Sequence, residues 1–350
     1  MFVLRCLGVS LSFFLLLYGG LSLAVMRGWR LAERAGSKFS ARRLANVLFV
    51  LRSLPFAAAL LVTLIFVVPS FLLLEPRVVT EPIGEIPLTL GAACLLVLGA
   101  GALNAIAAHR KTSRAVSGWL RDATSDLNCY PVPLFRIRPS APALAVAGGL
   151  SPRVLLSDAA AALLSGQELE TALKHEMAHV HRRDNLKKLL FRLCTLPGMS
   201  ALESAWSETA EMAADDAAVS SSREALDLAS ALIKLSRFAP ARAAAPLTTG
   251  LAQTPGSALN TRIERLVAWD ETRLTKPVGS FLNYGAPALV ATALCMIATY
   301  SGVLSDMHKM TEWLVRQAGT PSGITETPPV NSTSIPPNYF QVHSPRLVNR

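Results

Sequence analysis

SGQELETALKHEMAHVHRRD, residues 165–184, is the stretch from which the rest of the chain is read. Ser165 and Glu168 have the S-x-x-E spacing of a capping box, whose two side chains satisfy the first free amides of a helix. Leu169, Ala172, Leu173 and Met177 then recur at intervals of three to five, so the spacing predicts a helix from about Gln167 to His181. On such a helix His175 and His179 are four apart and share a face. Two imidazoles on one face can grip a single Zn²⁺ ion. Glu176, between them, stands where it can take a proton from a metal-bound water. The chemistry supported by this H-E-x-x-H spacing is hydrolysis of a peptide bond.

Zinc needs a third protein ligand. An acidic helix predicted over Glu203 to Val219 offers Glu203, Glu208, Glu211, Asp215 and Asp216. Glu211 and Asp215 are four apart and share a face, so one can ligate while the other steadies a histidine from behind. Glu208 is the rival ligand by spacing. The five cysteines include no C-x-x-C pair, which argues against a thiolate zinc site.

The chain has 350 residues, of which 51% are hydrophobic and 17% charged. Its mean hydropathy is +0.38. Such a composition belongs to a membrane protein. Four apolar blocks, about 2–26, 53–74, 86–108 and 278–304, are each long enough to cross about 30 Å of hydrocarbon as a helix. The first block is longer than the core of a signal peptide and its basic residues follow it, so it is read as retained. Arg27, Arg30, Arg34, Lys38, Arg42 and Arg43 make 27–43 a basic, cytoplasmic loop. His109, Arg110, Lys111 and Arg114 follow the third block, also inside. The expected topology is N-terminus out, four spans, C-terminus out. Residues 109–277, which carry the motif, then face the cytoplasm, and 305–350 form a Pro/Ser/Thr-rich, disordered outer tail. The net charge of +10 is concentrated beside the spans, where anionic lipid accounts for it better than nucleic acid does.

Within 109–277, Leu134–Ile137, Ala143–Ala147 and Arg153–Ser157 read as short strands of a small sheet. Ala143–Ala147 is the candidate edge that would align a substrate backbone by strand addition. Leu186, Leu189, Leu190 and Leu193 with Lys187, Lys188 and Arg192 predict an amphipathic helix, too short to span, that packs on the domain. Two further helices are predicted, from Ser221 to Phe238 and from Ser257 to Asp270. The expected class is α+β: four transmembrane helices with an inserted cytoplasmic metallopeptidase domain.

His175-Glu176-Met177-Ala178-His179-Val180-His181-Arg182-Arg183-Asp184 resembles the H-E-x-x-H-x-x-R-x-D signature of the membrane metallopeptidases related to the beta-lactam sensor-transducers BlaR and MecR. Glu211-Met212-Ala213-Ala214-Asp215-Asp216 is similar to that family's later E-x-x-x-D element, and Asn260 to Leu266 to its R-I-containing helix. The resemblance implies a gluzincin-like domain holding one Zn²⁺ through His175, His179 and Glu211, with Glu176 catalytic and Asp215 an orienting acid. It implies structural roles for the signature residues Arg182 and Asp184. It further implies the bacterial cytoplasmic membrane as location and signal-triggered cleavage of a cytoplasmic protein, such as a transcriptional repressor, or of the chain itself. The sensor-transducers carry an outer penicillin-binding domain with an S-x-x-K serine. Here only about 46 residues follow the fourth apolar block and they contain no S-x-x-K, so beta-lactam sensing is not expected. Two other readings are a quality-control protease of the HtpX or CAAX-prenyl type and a non-proteolytic membrane transducer. The first would place an apolar span soon after the motif, and the second has no use for Glu176.

Overall fold

The computed structural model describes residues 2–35, 39–74, 84–121, 123–126, 132–137, 142–238, 245–251, 256–270, 300, 302–310 and 313. It is mostly helical, with one small sheet. Three apolar rods come first: α1 (Phe2–Ala35), then α2 (Ala41–Val62) continuing through a π-helical turn at Thr63–Val67 into α3 (Val68–Leu74), then α4 (Glu85–Leu120). All three are long and apolar enough to cross a membrane. Most of the expected fourth span and of the tail lies outside the described residues.

Close packing of the rods depends on small residues, as helix contacts in lipid generally do. Gly91 of α4 leaves room for Gly8 of α1, since a Cβ there would stand 3.4 Å from the Gly8 backbone. Ser12 Oγ donates across the same contact to the Pro87 carbonyl at 2.9 Å. The π turn has a local cause. Pro69 has no N–H, so it cannot bond the carbonyl four residues back and its ring crowds that group. That carbonyl belongs to Ile65, and the Tyr300 hydroxyl donates to it at 3.1 Å.

The rods do not end where the apolar blocks end. α1 runs through the first half of the expected basic loop to Ala35, and α4 passes the expected boundary at 108 and continues to Leu120. The remaining elements are β1 (Thr124–Asp126), β2 (Leu134–Ile137), β3 (Leu144–Ala147), β4 (Arg153–Ser157), α5 (Asp158–Leu163), α6 (Gly166–Arg182), α7 (Asp184–Leu193), α8 (Ser200–Ala218), α9 (Ser222–Phe238), β5 (Thr248–Thr249) and α10 (Gly256–Val267). They join the rods chiefly through α7, α8 and β2. The sheet order is β1-β2-β4-β3-β5, with only β2 and β4 parallel. The three strands expected from sequence are β2, β3 and β4. The outer side of β3, expected to be open, is instead covered by β5, which pairs Thr249 with Val146 and Thr248 with Ala147.

Two cores meet along α8. One joins β3, β4, α5, α6, α9 and α10 through Leu144, Val154, Leu173, Leu228, Leu232 and Leu266. The other joins α8 to the first two rods, with Trp206 and Leu202 packed against Leu48, Phe191, Val25 and Trp29. The amphipathic α7 packs on α2 and α4, not on the motif domain alone. The chain after it, 194–199, pushes into the bundle, so that Leu196 meets Phe14, Tyr18, Phe56 and Ala59. Gly101 permits this entry: any Cβ on it would collide with the Leu193 carbonyl.

Candidate metal centre

α6 forms as its capping box predicts. Ser165 Oγ accepts from the Glu168 amide, and the Glu168 carboxylate accepts from the Ser165 amide at 2.8 Å. Ser230 and Lys234 also donate to that carboxylate, at 2.6 and 2.7 Å, tying the start of α6 to α9. Burial would raise the Glu168 pKa, but these donors outweigh it and bring it down to about 2. The end of α6 is sharper. Arg183 adopts the left-handed conformation at φ 53°, unusual for a residue with a Cβ. It closes α6 and opens α7 at once, which brings Asp184 back beneath the motif.

The result is a carboxylate behind each histidine. Asp184 Oδ2 contacts His179 Nδ1 at 2.8 Å. Asp215, arriving on α8, contacts His175 Nδ1 at 3.0 Å, though without full hydrogen-bond alignment. Each contact turns an Nε2 inward, and the two Nε2 atoms are 3.2 Å apart. Glu211 completes the group, with Oε2 3.6 Å from His175 Nε2 and Oε1 3.5 Å from His179 Nε2. One ligand atom from each of His175, His179 and Glu211 lies within 4.8 Å of the others. Glu208, the rival by spacing, is exposed and stands apart from this group.

Glu176 is fully buried, and neither of its carboxylate oxygens has a hydrogen-bond partner. Burial dominates its titration and lifts its pKa to about 7. The Leu251 amide lies close enough to draw it down a little without completing a hydrogen bond. A buried, unpartnered acid is expensive to keep. Its position next to three convergent donors gives that cost a chemical purpose, and the donor set of two imidazoles and a carboxylate fits zinc. Burial lowers the proton affinity of His179, but Glu211 and Asp184 overcome it and raise the pKa to about 9. For His175 burial is likewise overcome, by Asp215 and Glu211. A cation entering the site therefore competes with protons for the same nitrogens.

Three contributors were not foreseen from the sequence. Asp184, expected to be structural, is the orienting partner of His179. Arg262 on α10 is buried, bonds both oxygens of Asp215 at 2.8 and 2.7 Å, and lies 3.1 Å from Glu211. Opposed by burial but aided chiefly by this guanidinium, Asp215 has its pKa lowered to about 2. Glu211 is held well below the usual carboxylate range, burial being outweighed by His179 and Arg262. Lys188, read only as a polar-face residue of α7, donates to the Thr248 carbonyl at 2.8 Å and so pins β5 beside the site. The one available signal for Arg262 was its helix resemblance, which named no role. Arg182, the other signature residue, donates to the Ala210 carbonyl at 3.1 Å, one residue before Glu211.

No curated protein matches the chain. A family model described as BlaR1 peptidase M56 matches residues 90–266. That stretch begins in the third apolar rod, ends in α10 and contains every residue of the cluster just described. It covers more than half of the 350 residues, and the chain belongs to the BlaR1 M56 peptidase family.

Proposed function

We propose that this chain is a zinc-dependent endopeptidase of the bacterial cytoplasmic membrane, cutting polypeptides on the cytoplasmic side with one Zn²⁺ held by His175, His179 and Glu211. The observation that carries this is Glu176: a fully buried acid with no hydrogen-bond partner, within electrostatic reach of three residues whose ligand atoms converge. When bound, zinc lowers the pKa of a water and polarises the scissile carbonyl. Glu176 accepts the proton of that water and delivers it to the leaving amine. Asp184 and Asp215 keep the two imidazoles in the tautomer and orientation that present Nε2. A purely structural zinc site would have no use for Glu176.

Substrate would lie extended along β3, where it gains backbone hydrogen bonds. β5 now holds that edge, with Thr248 and Thr249 buried. Cleavage thus requires β5 to give way, and this supports proteolysis that is triggered, with a repressor or the chain itself as substrate. The topology proposed is N-terminus and C-terminus outside.

The test is Glu176→Gln in the full-length chain. The variant should purify with the zinc content of the wild type. It should fail to generate the new protein N-termini that wild type produces in the expressing cell, a loss of about 10²–10⁴-fold. The same set of N-termini from both proteins, with zinc bound in each, would refute the hydrolytic reading.

A further inference from the structure

The cytoplasmic extension of α4 and the turn joining β3 to β4 border an open-sided cavity of about 380 Å³. Its polar lining includes His109, Ser113 and Ser117 from α4, Ser151 from the turn and Arg153 at the start of β4. Among the described residues none of these five side chains has a hydrogen bond or ion pair, and no carboxylate lines the cavity. Arg153 only rests over the Phe135 ring, 5.9 Å from its centre. The lining is therefore a set of solvent-exposed polar groups, unpaired within the protein, around an open-sided space that carries one guanidinium and no acid.

Its height relative to the bilayer selects the ligand. The apolar part of α4 ends at Ala108. At about 1.5 Å per residue, Ser113 stands about 7–8 Å beyond that end, and each headgroup layer is about 5–7 Å deep. The lower half of the cavity is thus level with the phosphates of the cytoplasmic leaflet. Arg110, Lys111 and Arg114 are exposed on the same stretch of helix and draw anionic lipid toward it. Leu150, which also lines the cavity, is 74% exposed on the turn, an apolar side chain open to an acyl chain.

We infer that this cavity is an anionic phospholipid site. It takes the headgroup phosphate through the Ser113, Ser117 and Ser151 hydroxyls, His109 and the Arg153 guanidinium, with Leu150 against the glycerol end of the acyl chains. The inference rests on the apolar rods crossing a bilayer and is independent of the hydrolytic reading. Leu247 lines the same cavity, its amide bonded to Thr112 Oγ1 at 3.1 Å and its carbonyl to the Gly148 amide at 3.2 Å. A bound headgroup therefore touches the residue that leads into β5.

Free inorganic phosphate offers the same oxygens, so the experiment separates the two sources. Full-length protein is placed in lipid discs of phosphatidylcholine containing a minor share of phosphatidylglycerol, and the lipid retained after detergent extraction is counted by native mass spectrometry. Phosphatidylglycerol should be retained in preference, and millimolar inorganic phosphate should not displace it. Arg153→Gln should weaken retention about five-fold. Ser117→Leu, which fills the cavity from an exposed helix position without changing charge, should weaken it as strongly. Arg30→Gln, a basic residue outside the cavity, should leave it unchanged. Equal retention of the two lipids, or indifference to Ser117→Leu in a folded protein, would overturn the site. Displacement by inorganic phosphate would overturn the lipid as its source.

Discussion

The two ends of α8 each hold a buried arginine against a carboxylate, and the two contacts do different work. At the membrane end Arg52 of α2 bonds Glu203 at 2.7 Å and the Cys194 carbonyl at 2.7 Å. At the other end Arg262 spans Asp215 and Glu211. Arg52 is 2% exposed while Glu203 keeps 34% of its side chain in solvent, so that carboxylate can be hydrated if its partner is lost. Arg262 and Asp215 are 1% and 2% exposed, with no such refuge. Arg52 caps the irregular backbone of 194–199 where it enters the bundle, a place where loose carbonyls are costly. Arg262 neutralises the acids of the proposed metal centre. One helix thus carries its ligand between a membrane anchor and a charge clamp.

Removing the clamp should have the largest consequence. Arg262→Met leaves Glu211 and Asp215 with only the two imidazoles as partners and should cost about 3–5 kcal/mol of stability. Thermal unfolding of purified protein, with zinc content measured alongside, checks this. A melting temperature within error of wild type would show that Glu211 and Asp215 are not clamped as described.

The two orienting acids come next. Asp184→Asn and Asp215→Asn should each weaken zinc binding by about 10–100-fold, read by competition with a chromophoric chelator. Asp215→Asn should be the more severe, since it also unpairs Arg262. The reverse order would place the main support of the histidines within the α6–α7 turn.

Arg52→Met should be milder. It frees the Phe191 and Cys194 carbonyls and a carboxylate that water can reach, at about 1–3 kcal/mol, and it should leave zinc affinity unchanged. A loss of zinc affinity equal to that of Arg262→Met would erase the distinction between the two ends of α8.

The smallest effect concerns the start of α6. Glu168 has its folded pKa lowered to about 2, against about 4.3 for an unfolded glutamate. Its contribution is complete above the unfolded value and is lost as pH falls from there toward the folded one. Wild type should therefore melt higher than Glu168→Gln at pH 6, with the gap narrowing by pH 3. A gap that does not depend on pH would mean that the carboxylate acts through shape and not charge.

What the chain wrote locally was readable. The capping box set the start of α6, the three-and-four spacing put His175 and His179 on one face, unbroken apolar runs marked three membrane-length rods, and short apolar segments set off by prolines and glycines located β2, β3 and β4. These depend on neighbours within a few residues, and sequence records those directly. The later site residues depend on approach from afar. Spacing left Glu208 and Glu211 open, and only the crossing of α8 over α6 decided which carboxylate faces the histidines. Asp184 became a partner of His179 because Arg183 takes a left-handed turn that no glycine announced. Arg262 comes from 47 residues beyond Asp215. The cover of β3 by two residues of β5, between the last two predicted helices, needed pairing with a strand a hundred positions earlier. Sequence by itself determined the chemistry on offer and the medium it sits in. The tertiary structure decided which acids meet the histidines and what blocks their edge, because burial and long-range pairing set those choices and local propensity does not.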